Sequence, residues 1–169
     1  MRRASGEPRS FVLLIALIAS IGIGSTLFHT FATTWAQLLD IVPILLFQTC
    51  FIWLYSRRIT LARKLTSAGF LCAFFTGAVV GRQFPEFLNG SLSYAPSFLV
   101  LICFGSYHYI AKKRARLALL VASTIFLVSL TFRTIDSVVC DLVPFGTHFL
   151  WHILNGAVLY LTLKALALN

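Results

Sequence analysis

The chain has 169 residues, of which 59% are hydrophobic and 11% charged, and its mean hydropathy is +0.89. An ordinary soluble domain carries about 25% charged residues, so that class is excluded. The net charge of +9 would suit a nucleic-acid binder, but the placement of the basic residues, taken up below, excludes nucleic acid as a partner.

The apolar residues fall in six long runs: 11–32, 35–55, 65–80, 95–110, 117–132 and 143–163. A bilayer core takes about 20 apolar residues per helix, and backbone amides in lipid must bond within their own segment. The alternation of a β-barrel is absent. These runs predict an all-α, polytopic transmembrane helix bundle of six helices, forming one domain over residues 1–169.

The first run follows Arg2, Arg3 and Arg9, as a signal peptide would, but it is too long and polar residues follow it. It is read as the first spanning helix. A tight turn near residues 32–34 leads into the second run, so these two helices should pack as an antiparallel pair. The connection over residues 81–94 contains Pro85 and Asn89-Gly90-Ser91, which fits either a glycosylation acceptor in a secretory membrane or an Asn-Gly turn. The fourth run ends in Ser106-Tyr107-His108-Tyr109, where His108 reads as part of an interfacial aromatic belt. Arg133 and Asp136 stand one turn apart near the end of the fifth helix, close enough to pair. Asp141 reads as an exposed loop residue. Cys50, Cys72, Cys103 and Cys140 form no CxxC pair and read chiefly as small packing residues.

Arg2, Arg3, Arg9, Arg57, Arg58, Arg63, Lys64, Lys112, Lys113, Arg114, Arg116 and Lys164 all fall on one side if the chain weaves back and forth; only Arg82 and Arg133 fall on the other. The positive-inside rule then puts both termini in the cytoplasm. It also accounts for the basic charge without nucleic acid.

Ionisable residues in spanning helices are costly and mark functional sites by default. They concentrate here in three stretches. The first helix ends Gly24-Ser25-Thr26-Leu27-Phe28-His29. The second opens Trp35-Ala36-Gln37-Leu38-Leu39-Asp40. The sixth opens Gly146-Thr147-His148-Phe149-Leu150-Trp151-His152. Spacing i,i+4 puts Ser25 with His29, and His148 with His152, on single helix faces. All five lie within about two turns of the non-cytoplasmic boundary, counting roughly 1.5 Å per residue. The expectation is a buried Ser/His/Asp/His/His set. Three neutral imidazoles leave a tetrahedral Zn2+ with one open position, the catalytic form of a zinc site. A zinc-bound water has a pKa of about 7, which makes a hydroxide nucleophile available. Asp40 then serves as proton acceptor or orienting group, and Ser25 as a donor to a developing oxyanion or to Asp40.

Gly24-Ser25-Thr26-Leu27-Phe28-His29, with Gln37-Leu38-Leu39-Asp40 and Pro43, resembles the G-S-x-x-F-H and Q-L-L-D-x-x-P pattern of the alkaline ceramidases. His148-Phe149-Leu150-Trp151-His152-Ile153-Leu154-Asn155-Gly156 is similar to their H-x-W-W-H-I-L-T-G, and Ile135-Asp136 with Cys140 to their I-D-x-x-x-C. The similarity is sharp in these blocks, and the other helices match only in hydropathy. The resemblance implies a membrane amidase with zinc on His29, His148 and His152, with Asp40 and Ser25 at the family's other two site positions. It implies hydrolysis of the carbon–nitrogen amide bond of ceramide or another N-acyl lipid, giving a sphingoid base and a fatty acid. The wider superfamily includes progestin/adiponectin receptors and haemolysin-III-like proteins, whose sites face the cytoplasm; the charge pattern here puts the site on the other face. The family has seven helices and the sequence supplies six, the first being missing together with an acidic segment that binds calcium, so calcium is not implied. Either that helix was lost or the start lies upstream. Ile41 stands where the family often has an acid. The competing readings are a non-enzymatic receptor or scaffold with a closed, structural zinc, and an ion transporter. A transporter would need acids spread along a path through the membrane, which the sequence does not supply.

Overall fold

The computed structural model describes residues 8–140 and 146–169. Among them are six α-helices and no strand: α1 (Pro8–Phe31), α2 (Thr34–Arg58), α3 (Lys64–Gly81), α4 (Ala95–Ile110), α5 (Ala118–Val139) and α6 (His148–Ala167). Six segments are long and apolar enough to cross a membrane; the fourth, Phe87–Ile110, joins α4 to the 3₁₀ turns that precede it. Arg2, Arg3, Asp141 and the start of the sixth run at Val143 lie outside the described residues.

The bundle has the polarity of a membrane protein. Large apolar side chains such as Val12, Ile15, Ile23, Leu99, Leu127 and Ile153 point outward, and several small polar ones are buried. Three of the buried hydroxyls bond to helix carbonyls: Ser56 to Ile52, Ser129 to Trp151 and Thr162 to Leu159. Each bond removes a donor that lipid could not satisfy.

The elements follow the sequence reading with three differences. α5 continues past Phe132 to Val139, because the polar residues of its last turns find partners: Thr134 bonds Ser91 and Asp136 bonds the start of α6. The connection over residues 81–94 is folded rather than loose. It forms a short 3₁₀ segment, Phe87–Tyr94, packed against α3, α4 and α5 and turning on left-handed Leu88, Asn89 and Gly90 (φ 53°, 52° and 72°). The Asn-Gly turn is thus the form this tripeptide takes. His108 is not in an interfacial belt. It is fully buried, with Nδ1 2.7 Å from the Tyr55 hydroxyl and Nε2 2.8 Å from the Arg114 carbonyl. Its polarity serves to tie α2 and α4 to the following loop, a role invisible to a local count of aromatic neighbours.

Apart from Arg82 and Arg133, the described basic residues gather at one end. There Arg58 donates to Ser10 (3.1 Å), Tyr107 to the Ile59 carbonyl (3.2 Å), and the Arg114 amide to Asn169 (2.9 Å). His29, His148 and His152 lie at the other end.

Candidate metal centre

Only Ala32 and Thr33 separate α1 from α2, and the two helices pack along much of their length. Gly24 makes that packing close. A Cβ built on it would overlap the Leu39 carbonyl and lie 3.0 Å from the Asp40 nitrogen. Pro43, inside α2, has no N–H, so it leaves this same Leu39 carbonyl without its helical partner. The Gly24 Cα–H lies against the freed oxygen, a close approach that only glycine permits. The next residue along each helix is a site residue, Ser25 on α1 and Asp40 on α2.

α6 is placed by α5. The Asp136 carboxylate accepts the backbone N–H of Thr147 (2.6 Å) and of His148 (2.8 Å), satisfying donors that a helix start leaves open. Thr147 Oγ1 donates to the Phe132 carbonyl at 2.6 Å. Gly146 is left-handed (φ 57°), and a Cβ there would collide with the Asp136 carboxylate and the Cys140 sulfur. Arg133 does not pair with Asp136 as the spacing suggested. It turns toward Asn89 and Ser91, while Asp136 Oδ1 accepts from the start of α6.

These constraints bring the five predicted residues to one place. His29 Nε2 lies 2.9 Å from His152 Nε2, and Ser25 Oγ lies 3.2 Å from His152 Nδ1. The ring centroids are 5.4 Å apart for His29 and His148, 4.8 Å for His29 and His152, and 4.9 Å for His148 and His152. One nitrogen from each ring falls within 4.8 Å of the others. Asp40 lines the same cavity, and its Oδ1 is buried with no hydrogen-bond partner. The set is not buried as expected: His29 is exposed, and Ser25, Asp40, His148 and His152 are half-buried. The reason is that α1 and α2 touch α6 only sparsely, which leaves the cluster at the mouth of a cavity.

The donor set fits a zinc ion. It offers three imidazoles and no thiolate, which matches a three-ligand site with an open position. In the tautomer whose Nδ1–H donates to Ser25 Oγ, His152 keeps the Nε2 lone pair for a metal, the arrangement by which an outer partner fixes a ligand tautomer. The Asp40 oxygen is a buried acceptor without a protein partner beside these imidazoles.

The cavity measures about 940 Å³ and is lined chiefly by apolar side chains from α1, α2 and α6. It runs from the histidines to Ile52, Val158 and Thr162. Along α6 the step from His148 to Thr162 covers roughly 21 Å, at 1.5 Å per residue. Four lining groups escaped the sequence reading as site residues: Arg133, Tyr94, Asn155, and the Gln48–Ser97 pair (3.0 Å). Asn155 had a signal, since i,i+3 spacing puts it on the His152 face. The others had none, because their partners are far along the chain.

Fold and site together define a multi-pass membrane bundle with a three-histidine cluster at one end of an apolar cavity. The family model of the ceramidases matches residues 1–168, essentially the whole chain, and the chain belongs to that family. No curated protein and no solved structure matches it. Membership implies a hydrolase of amide bonds acting on a ceramide-type lipid in a membrane setting.

Proposed function

We propose that the chain works as one domain over residues 1–169, a zinc-dependent amidase that cleaves the N-acyl bond of ceramide or a related lipid amide. The observation that carries this reading is the meeting of His29, His148 and His152 beside the unpartnered Asp40 oxygen, at the mouth of a long apolar cavity. A bound zinc supplies Lewis-acid polarisation of the amide carbonyl and activation of water. His29, His148 and His152 hold it. The apolar cavity takes an alkyl chain and keeps water from it, leaving the amide bond among the polar residues at the mouth.

Asp40 Oδ1 accepts a proton from the attacking water and returns it to the amide nitrogen as the C–N bond breaks. Water thus gives its oxygen to the acyl carbon, yielding a fatty acid, and a hydrogen to the amine, yielding a sphingoid base. Ser25 Oγ accepts from His152 Nδ1–H, which frees its own hydrogen for the acyl oxygen as negative charge develops there. The basic residues at the opposite end of the bundle support a topology with both termini cytoplasmic and the site on the non-cytoplasmic face.

The test is direct. Purified protein should contain about one zinc per chain and release fatty acid from an N-acyl sphingoid lipid, and His152→Ala should lose both. Equal turnover by wild type and His152→Ala across a panel of lipid amides would sink the reading.

A further inference from the structure

Arg133 stands on α5 at the histidine end of the bundle and lines the same cavity as His148 and Trp151. Its Nη1 donates to the Asn89 carbonyl (3.0 Å) and to Ser91 Oγ (2.9 Å). Its Cζ lies 4.9 Å over the Tyr94 ring and 5.9 Å over the Trp151 ring. All these partners are uncharged. Asp136, one turn along α5, uses Oδ1 for Thr147 and His148 and makes no hydrogen bond to Arg133.

A guanidinium has five N–H groups in a fixed fork. Both hydrogens of Nη1 are engaged, so the edge formed by Nε and Nη2 has no acceptor among the described residues. That edge is the one that grips a carboxylate with two parallel hydrogen bonds. Stacking on Tyr94 and bonding to Asn89 and Ser91 hold the group in place without covering it. A cation fixed this way beside an apolar cavity is prepared for an anionic partner.

We propose that the Nε–Nη2 edge of Arg133 binds a carboxylate at the mouth of the cavity. The inference rests on the amidase reading for the source of that carboxylate. Hydrolysis converts a neutral amide into a fatty-acid carboxylate at this end of the molecule, so the released product is one source. The other is a carboxylate on the amine half of the lipid amide, as in an N-acyl amino acid. In either case the position sets specificity rather than performing the bond cleavage.

The experiment uses purified full-length wild type, Arg133→Gln and Arg133→Lys, each first checked for zinc content and a single oligomeric species. One arm measures binding of palmitate and of its methyl ester. The other measures kcat/KM for N-palmitoylglycine and N-palmitoylethanolamine, a pair that differs in the carboxylate. A wild type that binds palmitate at least tenfold more tightly than the ester, with the difference erased in Arg133→Gln and partly kept in Arg133→Lys, supports the product as source. A preference for N-palmitoylglycine that is erased in the same way supports the substrate as source. If neither ratio responds to either variant, the proposal is overturned. If wild type hydrolyses no lipid amide, the amidase reading fails, and the palmitate arm still decides whether Arg133 holds a carboxylate.

Discussion

Asp136 on α5 accepts the backbone N–H of His148 at 2.8 Å, so the helix that carries two of the three imidazoles starts on a carboxylate supplied by its neighbour. A side-chain cap of this kind is worth about 1 kcal/mol, and charged acceptors lie above that value. Asp136→Asn should lower stability by about 1–2 kcal/mol and weaken zinc binding. Denaturation in detergent together with metal titration would read both, and unchanged metal affinity would count against the linkage.

Gly24 sets the distance between Ser25 and Asp40. Gly24→Ala places a methyl against the Leu39 carbonyl, and overpacking of this kind costs about 1–3 kcal/mol. Displacement of a positioning element by about 1 Å can cost roughly a hundredfold in rate. The variant should therefore fold with reduced stability and lose activity out of proportion to that loss. Activity that merely tracks the folded fraction would contradict this.

Ser25 touches His152 Nδ1 at 3.2 Å. Removal of such an outer partner costs about 10–100-fold in metal affinity or activity. Ser25→Ala should retain zinc at saturating metal and release it more readily to a chelator than wild type does. Competition with a colorimetric chelator measures the difference.

Asp40→Asn keeps the shape of the side chain and removes its basicity. A positioned general base contributes about 10²–10⁴-fold, so kcat should fall within that range while zinc content stays at the wild-type level. Loss of zinc along with kcat would show Asp40 to be a metal-binding group instead.

Val158 lines the far part of the cavity. Burying a methylene is worth about 0.8 kcal/mol, so a blockage that excludes two of them should cost about tenfold in kcat/KM. Val158→Trp should impose that loss on long-chain amides and spare short-chain ones. A uniform loss at all chain lengths would mean that the alkyl chain lies elsewhere.

Much of this was legible in the sequence, for identifiable reasons. The cost of a charge in lipid singles out His29, Asp40, His148 and His152 wherever they stand, and helical spacing groups them without knowledge of the tertiary fold. What escaped was what depends on a distant partner. Asp136 looks like a neighbour of Arg133 in sequence, yet its carboxylate is taken by amides 11 and 12 residues onward. His108 sits among tyrosines and near lysines, and only the packing of α2 against α4 shows that Tyr55 buries it. α5 outruns its apolar segment because Thr134 and Asp136 find polar partners, which a hydropathy count scores as a boundary. The openness of the histidine cluster follows from the sparse seam between α6 and the α1–α2 pair, a property of the assembled bundle.

His29 and His152 are 123 residues apart, so the cluster joins α1 to a helix made much later, α6. While the chain is being synthesised, the early part holds a single histidine of the set, and α6 completes it only on reaching the bundle. Long-range closure of this kind is a late event. Metal capture at these three residues would then report that α6 has docked beside α1.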